Sequence, residues 1–132
     1  MDISKKDKQR VDNLVRNHFL NSNKIIQLND FITANEADIE DLFSVDEYLA
    51  LVKSTYPDST TNLAVESLNN QPRIIKRLES YFLENASDTT FNHFLPSRIG
   101  LSELGNNINI SQETIDRFES VFKKLNSLLF AE

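Results

Sequence analysis

The sequence contains no cysteine, no tryptophan, two glycines, three prolines and two histidines. Without cysteine there is no disulfide framework, no thiolate zinc site and no cysteine nucleophile. With only two glycines, Gly100 and Gly105, there is no glycine-rich phosphate loop, neither a GxGxxG nor a GxxxxGK[ST], so nucleotide binding by either device is excluded. His18 and His93 are the sole imidazoles, which removes most histidine-based hydrolase and metal templates. No run approaches the roughly eighteen apolar residues of a membrane-spanning helix. Met1-Asp2-Ile3-Ser4-Lys5-Lys6 has no apolar stretch behind its charges, so a secretory leader is not expected. The expected location is cytoplasmic, with no membrane partner.

What is present is an acidic chain with material for a core. Fourteen basic and twenty acidic residues give a net charge of −6 over 132 residues, and 39% of residues are hydrophobic, nine of them Phe. One domain of ordinary size is expected over residues 1–132. The acidic balance argues against nucleic-acid binding by the whole surface, because phosphate neutralisation needs a clustered basic face. Two small basic clusters, Lys5/Lys6/Lys8/Arg10/Arg16 and Arg73/Lys76/Arg77, read as solvated helix faces.

Periodicity predicts a mainly α fold, a compact bundle of about five to seven helices with at most one or two short strands near residues 24–32. Val11, Leu14, Val15 and Phe19 form the stripe of a helix over residues 4–21, placed at the periphery within residues 1–23. Lys24 to Leu28 is β-branched and reads as one strand or an extended connector. Asn35 to Asp38 caps a short helix carrying Ile39, Leu42 and Phe43. Ser44 and Glu47 make a capping box that opens a helix ending before Pro57. Pro72 suits the first turn of a helix over Arg73 to Glu84, whose apolar face is Ile74, Ile75, Leu78, Tyr81 and Phe82. The aromatic segment Phe91 to Pro96 is expected to anchor in the core. A short helix over Ser97 to Leu104 should stop at a left-handed Gly105. Ser111 is the expected N-cap of a final helix carrying Ile115, Phe118, Val121, Phe122, Leu125, Leu128 and Leu129.

The densest acidic group is Glu36, Asp38, Glu40 and Asp41. On a helix, Asp38 and Asp41 neighbour each other, as do Glu36 and Glu40, and either pair can hold a hard divalent cation. The competing reading is ordinary: carboxylates gather at helix N-termini because the dipole favours them there. Lys76 reads as part of a solvated face, or as a cation that stabilises a developing anion.

Six stretches resemble a known family. Ile26-Gln27-Leu28-Asn29-Asp30-Phe31, Glu36-Ala37-Asp38-Ile39-Glu40-Asp41-Leu42-Phe43 and Glu47-Tyr48-Leu49-x-Leu51-Val52 resemble the end of the Toprim region in OLD-like ATP-dependent endonucleases. Arg73-Ile74-Ile75-Lys76-Arg77-Leu78-Glu79-x-Tyr81-Phe82, Phe91-Asn92-His93-Phe94-x-Pro96-Ser97 and Ser111 to Asn126 look like the helical tail of the same proteins, so that residues 24–132 resemble their C-terminal region. Those proteins join an ABC-type ATPase to a Toprim nuclease that cuts DNA with acidic residues and divalent metal, and many act in phage defence. The resemblance implies Asp38 or Glu40 as the late acidic member of the metal site and Lys76 as the candidate catalytic lysine; the spacing adds Asp41, so the candidate metal ligands are Asp38, Glu40 and Asp41. Any metal held there would be Mg²⁺ or Mn²⁺, and no cofactor is required for an assembly role.

The chain lacks the Walker A loop, the upstream Toprim glutamate and the paired-aspartate strand, and two carboxylates alone cannot assemble a two-metal centre. The leading expectation is therefore a non-catalytic accessory or C-terminal domain that assembles with a Toprim/ATPase subunit or with itself, reaching nucleic acid only through the complex. This predicts an exposed apolar patch or unpaired strand edge near Ile25 to Phe31. A stand-alone interaction or inhibitor protein mimicking this domain is the alternative, and a weak metal-dependent nuclease the third reading.

Overall fold

The computed structural model describes residues 5–16, 25–103, 105–106 and 108–130. The fold is mainly α: among the described residues there are five α-helices and three 3₁₀ turns, and no β-strand. No helix among them is long and apolar enough to cross a membrane. The chain divides into two compact units, one built from Met1–Leu42 with Gln112–Glu132, the other from the continuous stretch Phe43–Ser111.

In the first unit, α1 (Lys5–Arg16) buries Val11 and leaves Leu14 largely exposed, with Arg10 paired to Asp7 one turn away. The expected continuation of this helix to residue 21, with Phe19, lies outside the described residues, as does Lys24. Residues 25–27 are not a strand. Gln27 is extended, but its carbonyl accepts the N–H of Asp30, and the Leu28 carbonyl accepts that of Phe31, so the backbone closes a 3₁₀ turn over Leu28–Asp30. Turn hydrogen bonds take the place of the ladder that a strand requires, and of the two sequence readings the connector is the one adopted. Leu28, Ala37, Leu42 and Val121 form the core of this unit, with Phe31, Ile32 and Phe118 packed against it. Val121 and Phe118 belong to α5 (Gln112–Phe130), the longest helix.

The segment Ile39–Leu42, expected as a short helix, is a single 3₁₀ turn. The N–H of Asp41 bonds to the carbonyl of Asp38 three residues back. Ser44 already caps the next helix, so there is no room for a second turn.

The second unit contains α2 (Val45–Thr55), α3 (Ile74–Asn85) and α4 (Phe94–Glu103). The capping box predicted for α2 is complete: Ser44 Oγ accepts the N–H of Glu47 at 3.3 Å, and Glu47 Oε2 accepts that of Ser44 at 3.0 Å. The box satisfies two backbone donors at the helix start, and loss of such a cap costs about 1 kcal/mol. Tyr48, Leu49, Leu51 and Val52 of α2 join Ile74, Ile75, Leu78, Tyr81 and Phe82 of α3 in one buried cluster, so the face predicted for α3 is the face that packs. Phe82 stands edge-on to Tyr56 and tilted against Phe91, with ring centroids 5.1 and 5.4 Å apart. The Tyr56 hydroxyl spans the backbone of Asn92, accepting its N–H at 3.0 Å and donating to its carbonyl at 3.2 Å.

Two boundaries differ from expectation. Pro72 precedes α3 by two residues, and Arg73 occupies the N-cap instead. Helix α4 starts at Phe94, three residues early, because Asn92 Oδ1 accepts the N–H of Phe94 and the Asn92 carbonyl accepts that of Leu95. Pro96 then lies in a first turn that needs no N–H from it. The aromatic segment is split accordingly: Phe91 is buried, and Phe94 is exposed with the His93 ring against it at 4.0 Å. Gly100 meets Leu51 so closely that a Cβ would stand 2.7 Å from its Cδ2. Gly105 has φ of 82°, the left-handed conformation expected after α4.

Candidate functional site

The acidic segment is built around its own backbone. Asp41 Oδ2 accepts the N–H of Asp38 at 2.8 Å, which closes the turn from the side-chain end as the Asp41 N–H closes it from the main chain. Asp38 and Glu40 are buried, at 2% and 7% exposure, and Ile39 between them is 45% exposed. This inverts the usual partition of apolar and charged residues. A 3₁₀ turn advances about 120° per residue, so Ile39 points in a different direction from Glu40 beside it. Among the described residues no group of three or more His, Asp or Glu side chains is arranged to hold a metal ion.

The turn is fixed to α5 by an arginine. Arg117 Nε donates to the Leu42 carbonyl at 2.7 Å, one terminal nitrogen to Glu113 Oε1 at 3.1 Å and the other to Thr114 Oγ1 at 2.9 Å. Thr114 is fully buried. A planar fork of donors is what lets one side chain serve a carbonyl, a carboxylate and a hydroxyl at once. The same guanidinium edges a shallow recess of about 510 Å³ together with Phe31, Thr33, Asp116 and Ser120.

Lys76 belongs to the second unit, on α3, and is half-exposed with its Nζ 2.6 Å from Glu79 Oε2. It sits in an i, i+3 surface pair of the kind that contributes a few tenths of a kcal/mol. Its neighbour Arg77 donates from Nε to the Gln71 carbonyl, tying down the segment before α3. Asp38, Glu40 and Asp41 thus share one turn of the first unit, and Lys76 stands on a helix of the second.

The apolar patch expected near Ile25 to Phe31 is not found there, since Ile26 and Leu28 are buried. Exposed apolar surface is concentrated on α5 instead. Ile115, Phe122, Leu125 and Leu129 are 47%, 55%, 44% and 76% exposed. With half-buried Phe118 they fall within about 80° of one another at 100° per residue. Thr114, Arg117, Val121 and Leu128 occupy the adjacent face, which packs inward or is partly covered. The helix therefore carries one packed face and, beside it, an apolar stripe open to solvent at Ile115, Phe122, Leu125 and Leu129. Spacing alone read them as one broad face; the signal that separates them is the three-four alternation 115, 118, 122, 125, 129, from which Val121 and Leu128 are each offset by one.

Compared with protein-family models, with curated proteins and with solved structures, the chain matches none.

Proposed function

We propose that the chain is a non-catalytic helical domain that acts by assembling with a protein partner, related to the C-terminal region of OLD-like ATP-dependent endonucleases and working in phage defence or DNA processing. The observation that carries the reading is the open stripe of α5. A helix with one face already packed keeps four large apolar side chains in water, and such a surface is characteristic of a docking site. The acidic segment supports the same reading from the other side. The Asp41 carboxylate holds a backbone turn, and Asp38 and Glu40 lie buried, which suits a structural role better than a metal centre open to DNA. The relation to OLD-like proteins rests on the sequence phrases alone.

The test is twofold. The purified chain is incubated with supercoiled DNA and Mg²⁺ or Mn²⁺, and is separately mixed with an OLD-like ATPase–Toprim protein from which the helical tail has been deleted. The expected results are intact DNA and a complex that co-elutes on size exclusion. DNA cleavage abolished by Asp38→Asn would overturn the non-catalytic assignment and favour the nuclease reading. Binding to the intact endonuclease with loss of its activity favours the inhibitor.

A further inference from the structure

We propose that α1 lays its outer face on the phosphate backbone of double-stranded DNA, a weak contact made by this chain itself. The helix lies outside the residues that resemble the nuclease family, and the inference does not depend on the assembly reading.

The charge of the molecule is unevenly spread. Residues 5–16 carry five cations and two carboxylates, so the net −6 of the chain is made of +3 on these twelve residues and −9 on all the rest. The helix gives the cations a direction. At 100° per residue, positions 5, 6, 9, 10, 13 and 16 fall within an arc of about 140° opposite Val11. Val11 is buried and Val15 half-buried, so the other flank packs inward. The outer arc holds Lys5, Lys6, Arg10 and Arg16, with Gln9 and Asn13 between them and no carboxylate. Gln9, Arg10, Asn13 and Arg16 are exposed.

A polyanion is the complement of such a face. A membrane surface rewards exposed apolar side chains beside the cations, and on α1 these turn inward apart from Leu14. Single strands are held by stacking on aromatic side chains, and the arc has none. Duplex DNA needs cations for its phosphates and accepts amides at phosphate and base edges, both of which the arc supplies. Its major groove admits a helix, as that of an RNA duplex does not.

The acids nearby set the strength. Asp7 stands 3.4 Å from the Arg10 guanidinium in an exposed pair, Asp12 borders the arc, and Asp30 lines the recess that Arg16 also edges. The net +3 of the helix therefore serves about three phosphates, and the acidic remainder, screened only beyond a Debye length, keeps the contact weak.

Fluorescence anisotropy of a labelled DNA duplex of about 20 base pairs, titrated with the full chain, reads the contact. The dissociation constant should be on the order of 10 µM at about 50 mM salt, and three phosphates make each doubling of salt weaken it roughly sixfold. Arg10→Gln/Arg16→Gln should weaken binding at least tenfold and flatten the salt dependence, with unchanged helical circular dichroism. Lys53→Gln/Lys124→Gln, which changes the net charge equally at exposed residues of α2 and α5, should weaken it less than threefold. On addition of the duplex, amide shifts should centre on Lys8 to Arg16. Absence of binding up to about 1 mM chain at that salt overturns the proposal, as do equal losses in the two double variants or shifts centred away from α1. Tighter binding to an RNA duplex or to phosphatidylserine vesicles overturns it as well.

Discussion

Glu47 Oε1 accepts the backbone N–H of Ser111 at 2.6 Å, across sixty-four residues of chain, while Oε2 of the same carboxylate accepts the N–H of Ser44. One side chain thus joins the first helix cap of the second unit to the last residue of that unit. A carboxylate can do this because it accepts on both oxygens, and charge-assisted bonds of this kind are roughly twice as strong as neutral ones.

Substitution of Glu47 should therefore cost more than loss of a capping box alone. Glu47→Ala is expected to lower stability by about 2 kcal/mol and Glu47→Gln, which keeps one accepting oxygen, by about 1 kcal/mol. Urea unfolding of the three proteins checks the order. Equal losses for both variants would mean that the Ser111 bond contributes nothing.

Arg117 is expected to behave as a clamp on the acidic turn. Arg117→Ala should destabilise by about 2 kcal/mol, and Arg117→Lys should recover little, since an ammonium cannot reach the Leu42 carbonyl, Glu113 and Thr114 together. Amide exchange offers the sharper readout: the Asp38 and Asp41 N–H groups should lose protection in both variants. Unchanged protection would separate the turn from the arginine.

Asp41 distinguishes a structural carboxylate from a ligand. Its oxygen accepts the Asp38 N–H, and an amide oxygen can do the same. Asp41→Asn should retain most of the stability, and Asp41→Ala should lose about 1 kcal/mol. Addition of Mg²⁺ should not shift the melting temperature of the parent chain. A metal-dependent rise that Asp41→Asn removes would contradict this assignment.

The Tyr56 hydroxyl holds both backbone groups of Asn92, and its ring meets Phe82 edge-on. Tyr56→Phe keeps the ring contact and should cost about 1 kcal/mol, with faster exchange at the Asn92 amide. At Gly100 the constraint is space. A β-branched side chain there overlaps Leu51, so Gly100→Val should cost about 1–3 kcal/mol, seen as a lower urea midpoint with an unchanged slope.

Much of the helical order was legible because the devices that produce it are local. The Ser44/Glu47 box, the apolar face of α3 and the left-handed Gly105 are each specified within a few residues. What was not legible lies where a distant or competing partner decides. Ile25 to Leu28 has strand-like side chains and read as a strand or a connector; pairing is a property of neighbours, and among the described residues no strand stands beside it. The acidic segment looks like a helix start with ligands on one face, yet a single turn between Asp38 and Asp41 buries two of the acids and exposes Ile39. The arginine clamp joins residues seventy-five apart in sequence, a relation no spacing rule anticipates.

The division of the chain has a consequence for the order of events during synthesis. Phe43–Ser111 is continuous, so its helices and the Glu47 bond to Ser111 can all form once that stretch has left the ribosome. The other unit needs both its early residues and α5. Leu28, Ala37 and Leu42 must wait for Val121 to complete their core, and the Leu42 carbonyl must wait for Arg117. Leu28, Ala37 and Leu42 are thus made before the continuous unit and finished after it.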